Sequence, residues 1–336
     1  MSNKKIGQQT YQLANPPVII ASATIVGPKE GEGPLANTFD KVLEDTYYGE
    51  KTWEKAERKV LQESIELALQ KGGLTPQQVD FMLAGDLLNQ TVSANFAASK
   101  LGIPFLGLYG ACSTAYEGMA LGSILVDGGF AATVVAAASS HYGTAERQYR
   151  FPTEQGSQRP MYAQWTVTGA GAFLLSRTGV GPRVTHITIG KVMDMGVKDP
   201  ADMGSAMAPA ATDTIVRHFQ DTGRGPADYD LIVTGDLASV GKAITVELAK
   251  QQGYDLSANY TDCGILIYDA SQDVHAGGSG CACSAVVTGG HLLQEMAEGR
   301  YKRILGVGTG ALLSPLTVQQ GESIPCIGHG VVIEMP

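Results

Sequence analysis

Cys112 is the residue of this sequence best placed for covalent chemistry. The segment LYGACSTAYEG, residues 108–118, approaches it through apolar residues, turns at Gly110-Ala111 and continues as a predicted helix. The first turn of a helix presents unpaired N–H groups and a positive dipole end, and both favour a thiolate over a thiol. A thiolate held there could attack a thioester. The alternative is a buried, inert cysteine that serves as a small apolar side chain.

Several polar residues later in the chain could complete a site around Cys112. His275 and Ser279 belong to the glycine-rich segment VHAGGSG, and Cys326 and His329 belong to CIGHG. Imidazole groups, and the N–H groups of a glycine-rich turn at a helix start, can receive a carboxylate. A lone histidine such as His275 is also consistent with a hydrogen-bonded position in the core.

Two aspartates and three arginines are further candidates. Asp86 and Asp236 end two similar strands, and each could contact a ligand through calcium or cap the next helix. Arg147, Arg150 and Arg159 lie close together in the sequence. They could pair with a dicarboxylate, or they could be ordinary surface charges.

Two segments resemble known motifs without having their spacing. DVHAGGSGCAC offers His275, Cys281 and Cys283, but a single Cys-x-Cys lacks the paired spacing of a zinc site. GVGTGA, at 306–311, follows a predicted strand, but its glycine spacing differs from that of the dinucleotide-binding fingerprint. The sequence therefore predicts neither a metal site nor a cofactor.

Composition narrows the class of protein. Charged residues make up 17% of the 336 residues, below the roughly 25% of an average globular protein, so a large interior is expected. The formal charge of −9 argues against a nucleic-acid partner. No apolar run reaches the roughly 18 residues of a membrane span, and the N-terminus lacks the apolar core of a secretory signal. Five cysteines, an odd number, fit a reducing compartment, and we expect a cytosolic protein.

The sequence contains an internal repeat, with its parts in the same order in both halves. Three segments of the first half have counterparts in the second half. VDFMLAGDL (79–87) corresponds to YDLIVTGDL (229–237), GACSTAYEG (110–118) to CACSAVVTG (281–289), and GAGAFLLS (169–176) to GHGVVIEM (328–335).

Each half, 1–178 and 179–336, is predicted to alternate strands with helices. In the first helix of the first half, Thr52 is the expected N-cap and Gly72-Gly73 the end. The strands are apolar throughout, which indicates mostly parallel sheets covered on both faces. Two such sheets sharing a middle layer of helices form a five-layer αβαβα sandwich, so the fold class is α/β.

The duplicated halves, the Cys112 turn and the C-terminal segment PCIGHGVVIEM resemble the thiolase superfamily. In thiolases the nucleophilic cysteine sits at the start of a buried helix, and a histidine and a second cysteine assist it. The resemblance implies these three roles for Cys112, His275 and Cys326. Superfamily members usually form homodimers, so the resemblance implies a homodimer, and the segment AATVVAAASS, 131–140, is apolar enough to lie in or near that interface.

The condensing apparatus of the superfamily is incomplete here. Gly235 and Asp236 occupy the place of a histidine or an Asn-Glu pair, and Ser279 is the nearest match to a catalytic asparagine. His329 interrupts the C-terminal glycines with a titratable side chain. Because enolate chemistry needs donors aimed at an oxyanion, an anionic Asp236 would hinder it.

Within the superfamily, segments such as YYGEKTWEKAE and SSHYGTAERQYRFPTEQG are similar to a family of spore proteins. That resemblance implies a non-catalytic protein that binds dipicolinic acid, as such or as its calcium chelate, and takes part in its uptake into the developing spore. It implies a location at the cytoplasmic face of the spore inner membrane, held there by membrane proteins of the same transport system. The expected ligand contacts are Cys112, Asp236, His275, Ser279, Cys326 and His329.

Two other functions remain open at this point. The chain could be an acyltransferase or condensing enzyme that uses Cys112 on coenzyme A or carrier-protein thioesters, although no basic entrance for phosphates is evident outside the 147–159 loop. It could also be a structural subunit with a vestigial pocket.

Overall fold

The computed structural model describes residues 4–149 and 159–336. Its strands are β1 Thr10–Gln12, β2 Val18–Val26, β3 Lys41–Val42, β4 Phe81–Gly85, β5 Phe105–Gly107, β6 Thr133–Ser140, β7 Trp165–Thr166, β8 Gly169–Ser176, β9 Arg183–Thr188, β10 Leu231–Thr234, β11 Tyr260–Asp262, β12 Gly278–Ser279, β13 Arg303–Ala311 and β14 Cys326–Glu334. Its α-helices are α1 Pro28–Gly31, α2 Trp53–Gly72, α3 Val92–Leu101, α4 Thr114–Asp127, α5 Tyr142–Tyr149, α6 Met203–Thr222, α7 Ala238–Gln251, α8 Cys263–Leu266, α9 Cys281–Val286, α10 Leu293–Ala297 and α11 Pro315–Gln319. Within these ranges no helix has the length and apolar character needed to cross a membrane.

Two five-stranded blocks form the sheet structure. Their strand orders are β5-β4-β6-β8-β2 and β11-β10-β13-β14-β9. In each block four strands run parallel, and the last strand of the half, β8 or β14, is antiparallel to both of its neighbours. The mostly parallel sheets expected from uninterrupted apolar strands are confirmed.

The two blocks meet edge to edge through a single backbone pair, Val18 with Arg183. β8 ends at Ser176 and β9 begins at Arg183, so these strands lie on either side of residue 178. β1 belongs to the first half but pairs with β9, so the N-terminal segment crosses to the second block. The division of the chain into two units at 178 stays a prediction.

Helices lie in three layers around these two sheets. α2 and α3 pack on the outer face of the first block, and α6 and α7 pack on the outer face of the second. α4 lies between the blocks, in contact with β4, β6 and β8 on one side and with β13 and β14 on the other. α9 lies beside α4 in this middle layer. The five-layer αβαβα sandwich is therefore confirmed.

The longest helix of the first half begins and ends as its sequence predicts. The Thr52 hydroxyl accepts a hydrogen bond from the Lys55 N–H at 3.4 Å, and Gly73 ends the helix with φ +65°. The left-handed conformation strains residues that carry a Cβ, so glycine suits this position. The face turned to the sheet is buried and includes Ala56, Val60, Ile65 and Ala68.

Close approach between α4 and β13 explains the glycine-rich segment at 306–311. A Cβ added at Gly306 or Gly308 would lie 2.3 or 2.6 Å from atoms of the Tyr116 side chain. The Tyr116 hydroxyl lies 2.9 Å from Thr288 Oγ1, so the buried ring keeps a hydrogen bond. These glycines therefore make room for a ring of the middle layer.

The segment AATVVAAASS does not lie at a sheet edge. Its strand, β6, pairs with β4 on one side and with β8 on the other, and all its residues are buried. Its apolar character comes from burial on both faces of the sheet, so it cannot form a sheet-edge interface. The edge strand of this block is β5, which in the described chain pairs only with β4.

Candidate ligand-binding site

Cys112 lies in a tight turn between β5 and α4, and the residues around it hold that turn. Ser113 Oγ donates to the Gly110 carbonyl at 2.7 Å, and Thr114 Oγ1 donates to the Ala111 carbonyl at 2.7 Å. Ala111 has φ +48°, in the left-handed region that non-glycine residues avoid. These two hydrogen bonds stabilise the strained turn. Cys112 itself is only 4% exposed.

The environment of Cys112 keeps its thiol protonated. Burial raises the pKa of Cys112 well above its usual range, the negative charge of Asp236 raises it further, and the Gly280 N–H opposes this. The carboxylate of Asp236 accepts from the Gly280 N–H, and Gly280 lines the same cavity as Cys112. The helix start was expected to favour a thiolate, and that expectation is wrong because burial and a neighbouring carboxylate outweigh the helix dipole.

The carboxylate of Asp236, which follows β10, is hydrogen-bonded to residues of two other parts of the fold. Its Oδ1 accepts from Thr309 Oγ1 at 2.6 Å, and its Oδ2 accepts from the Gly280 N–H at 3.1 Å. Burial raises the pKa of Asp236 to about 6 against the opposing effect of these hydrogen bonds. Asp236 does not cap α7; the N–H groups of Leu237 and Ala238 are bound by Asp262.

Asp86, the counterpart of Asp236 in the first half, behaves differently. Its carboxylate accepts from the N–H groups of Leu88 at 2.9 Å and Ala94 at 2.8 Å, so it organises the start of α3. The capping interpretation therefore fits Asp86 and not Asp236. The two similar strands end in carboxylates with different environments.

A small cavity lies against Cys112. Its space is about 30 Å³, enough for about two water molecules. Ser279, on the short β7–β12 ladder, lines it with Cys112. The remaining lining residues are Leu87, Tyr109, Ala145, Tyr149, Thr166, Met203, Gly280, Ala311 and Leu313. Among the described lining residues there is no Lys, Arg or His.

The two predicted histidines do not line this cavity. His275 has its Nδ1 2.8 Å from the Pro160 carbonyl and its Nε2 3.2 Å from Asp273, and its φ is +56°. His329 is buried in β14, where its Nδ1 accepts from the Gly190 N–H at 3.4 Å. Burial lowers the pKa of His329 to about 4, so this imidazole is neutral at pH 7.

Cys326 lies behind the cavity wall. It pairs with Ala311 across β13 and β14 and packs in one apolar cluster with Ala311, Met203 and Leu313, three residues that line the cavity. Burial, followed by the charge of Asp236, raises the pKa of Cys326 to about 12. Cys326 therefore has no thiolate available to act as a base near neutral pH.

Two tyrosines of the wall were missed by sequence reasoning. The hydroxyls of Tyr109 and Tyr149 lie 3.1 Å apart, and Tyr149 also donates to the Leu87 carbonyl. Arg147 and Tyr149 lie in α5, so the segment predicted as a loop begins within a helix, and Tyr149 of that helix belongs to the cavity wall.

The two arginines of the 147–159 segment that the structure describes have separate partners. Arg147 pairs with Glu54, and Arg159 lies 4.9 Å from the centroid of the Trp165 ring. Arg150 lies outside the described residues. In the described ranges, no group of three or more His, Cys, Asp or Glu side chains could hold a metal ion.

Comparison with known proteins identifies the family of this chain. A model of the family described as stage V sporulation protein AD matches residues 7–334. The stage V sporulation protein AD of Bacillus subtilis (strain 168) is 52% identical over 331 residues, covering 98% of each chain.

Solved structures with the same fold have low sequence identity to this chain. OleA of Xanthomonas campestris superimposes with a TM-score of 0.61 at 16% identity, covering 98% of this chain and 100% of that one. The 3-oxoacyl-[acyl-carrier-protein] synthase III of Aquifex aeolicus VF5 gives 0.57 at 12% identity, covering 95% and 99%. These likenesses confirm the thiolase-like fold. With a family match along almost its whole length, the chain belongs to the stage V sporulation protein AD family.

Proposed function

We propose that this chain binds dipicolinic acid without catalysing a reaction and takes part in its uptake into the developing spore. The observation that carries the proposal is the buried carboxylate of Asp236, which Gly280 and Thr309 hold next to the cavity that Cys112 lines, where it raises the pKa of the thiol. A condensing enzyme needs a nucleophilic thiolate and donors aimed at an oxyanion. Here a carboxylate stands beside a thiol that stays protonated, so the cavity suits binding better than acyl transfer.

The charge of the cavity favours one form of the ligand. A dipicolinate dianion would lie near the buried carboxylate of Asp236, which is bound to the lining residue Gly280, and would meet no cationic side chain among the described lining residues. The calcium chelate carries no net charge, so its entry avoids bringing like charges together in a buried site. The ligand is also larger than a space of about 30 Å³, so binding requires the wall formed by Tyr149, Met203 and Leu313 to open.

Isothermal titration calorimetry of the full chain with dipicolinate, with and without calcium, tests this proposal. Cys112→Leu fills the cavity, and we expect it to lower the affinity at least tenfold. Cys263→Val changes a buried cysteine that does not line the cavity, and it should leave the affinity within about twofold of wild type. Absence of heat with wild type, or equal affinity in both variants, contradicts the proposal.

The alternative is an acyltransferase acting through Cys112. It is favoured by the Gly280 N–H, which lines the cavity with Cys112 and could bind an oxyanion once released from its hydrogen bond to Asp236 Oδ2. Intact-mass spectrometry after incubation with acetyl-CoA separates the two functions. A gain of about 42 Da that disappears in Cys112→Ser supports the enzyme, since an acetyl thioester adds that mass.

The proposed setting includes other copies and other proteins. We propose a homodimer that uses the edge strand β5, near which Leu106 and Tyr109 are each 44% exposed. The partners proposed for uptake are membrane proteins of the same transport system, with this chain bound to them at the cytoplasmic face of the spore inner membrane.

A further inference from the structure

One side of the candidate cavity is formed by two segments that face each other. Leu87 follows β4 and Tyr149 ends α5, and both residues line the cavity. Another part of the wall belongs to paired strands, since Thr166 and Ser279 lie on the β7–β12 ladder. In the described chain, no backbone–backbone hydrogen bond joins residues 87–91 to α5. The boundary between these two segments is therefore held by side-chain contacts.

Gln148 and Tyr149 make the hydrogen bonds across this boundary. Gln148 Nε2 donates to the Leu87 carbonyl at 2.8 Å, and Gln148 Oε1 accepts from the Asn89 N–H at 3.1 Å. The Tyr149 hydroxyl donates to the same Leu87 carbonyl and lies 3.1 Å from the Tyr109 hydroxyl. Each such bond between neutral groups stabilises a fold only modestly, because water can replace it. These bonds can therefore break and re-form while the rest of the fold stays intact.

The segment that faces α5 is strained directly after Asn89. Gln90 has φ +60° and Thr91 has φ +49°, so two consecutive residues other than glycine have left-handed backbone conformations. A β-branched residue such as Thr91 is rarely found in this region. The arrangement with both segments in contact therefore holds backbone strain, and a rearrangement of residues 89–91 would release it.

The two ends of α5 are held differently. Near its start, Thr144 Oγ1 donates to Oε2 of the buried Glu57 at 2.8 Å, and Thr144 is itself buried. Near its end, Arg147 pairs with Glu54, but both side chains are more than a third exposed, and such pairs contribute little to stability. The start of α5 is therefore the fixed point about which its end can turn.

We propose that Gln148 and Tyr149 form a latch on the cavity at Cys112, and that a ligand enters when the end of α5 moves away from residues 87–91. The inference rests on the proposed function for its purpose, since a ligand larger than about 30 Å³ needs a way in. Its test needs no ligand, because the latch also controls the access of small reagents to the Cys112 thiol, which is 4% exposed.

Alkylation of Cys112 by iodoacetamide in the folded full chain at pH 8, followed by peptide mass spectrometry, measures how often the latch opens. Gln148→Leu keeps the size of the side chain and removes both of its hydrogen bonds, so the rate at Cys112 should rise about tenfold. Tyr149→Phe keeps the ring in the wall and removes only the hydroxyl, so the rate should rise about fivefold. The matched control is Gln62→Leu, because Gln62 is half-buried in α2 and bonds to Glu66 of its own helix at 2.8 Å.

Cys263 reports on the rest of the fold in the same experiment, because it is buried and does not line the cavity. Its rate in every variant, and the rate at Cys112 in the control, should stay within about twofold of wild type. Unchanged rates at Cys112 in both latch variants overturn the proposal. An equal rise at Cys263 also overturns it, because the substitutions would then loosen the whole fold. A failure of dipicolinate to bind contradicts the proposed function and leaves these rates as they are.

Discussion

At the scale of single residues, one side chain decides what the sulfur can do. Asp236 stands beside Cys112 and accepts hydrogen bonds from Thr309 and Gly280, so its position is fixed by three elements. A buried carboxylate beside a thiol raises the pKa of the thiol, so the protonated form is favoured over the thiolate. The lowering of the Cys112 pKa expected at a helix start is therefore outweighed by the effect of a carboxylate more than 120 positions away in the sequence.

Asp236→Asn should make Cys112 more reactive. Removing the charge lowers the pKa of the thiol, and each unit by which it falls raises the thiolate fraction about tenfold while the pKa stays above the pH. The rate of alkylation by iodoacetamide at pH 8 should rise at least tenfold over wild type. Cys112→Ser measures the background from other cysteines, and an unchanged rate at Cys112 would contradict this role of Asp236.

At the scale of elements, helices and turns differ in what holds them. α2 is defined locally by Thr52 at its start and Gly73 at its end. The turn that carries Cys112 depends also on β13, because a Cβ at Gly310 would lie 2.1 Å from the Gly110 carbonyl oxygen. A strand from the other half of the chain therefore presses directly on this turn.

Two glycine-to-alanine substitutions should separate these effects. A Cβ at Gly73 would have no atom within 4 Å, so Gly73→Ala strains only the left-handed backbone. It should lower the free energy of unfolding by about 1 kcal/mol. Gly310→Ala forces backbone atoms apart and should lower it by about 2–3 kcal/mol. Urea denaturation measures both, and a smaller loss for Gly310→Ala would mean that the turn can move away from β13 at little cost.

At the scale of the whole molecule, buried titratable groups tie stability to pH. Burial lowers the pKa of His218 to about 3 and that of His329 to about 4, so both stay neutral while an unfolded chain takes up protons below about pH 6.5. Their contribution is present above pH 6.5 and is lost as the pH falls towards these values. Asp236 acts in the opposite direction, because its raised pKa lets the folded state keep a proton up to about pH 6.

His329→Gln should therefore flatten the loss of stability in acid. Each such histidine removes about 1.4 kcal/mol per pH unit between about pH 6.5 and 4, and the variant lacks one of them. The free energy of unfolding, measured by urea denaturation at several pH values, should fall less steeply for the variant than for wild type in this window. Parallel curves would show that the His329 ring takes up its proton without unfolding.

Much of the fold follows from local patterns. The uninterrupted apolar strands indicated parallel sheets covered on both faces, and the repeated segments indicated two similar blocks. The ends of α2 follow from a cap and a glycine. The apolar segment considered for a homodimer interface forms β6, which is paired on both sides and buried in its sheet, because such a strand and an apolar interface have the same composition. The homodimer stays a prediction.

For the candidate site, the sequence predicted the positions of some residues correctly and of others incorrectly. Cys112, Asp236 and Ser279 come together as the motifs indicated, because each follows a strand or opens a helix at the same end of the sheets. His275 was placed by a resemblance to a catalytic turn, but its positive φ and its bond to the Pro160 carbonyl hold the ring elsewhere. No local pattern reports where such a ring points.

The sequence by itself determined the elements, their repetition and the position of Cys112 at a helix start, since these depend on propensities and apolar periodicity over short distances. Only the tertiary structure decided the state of the thiol, the size of the cavity and the pairing of each charge. Those properties depend on burial and on distances of a few ångströms between residues that lie far apart in the chain, and electrostatic effects in a dry interior are sensitive to both.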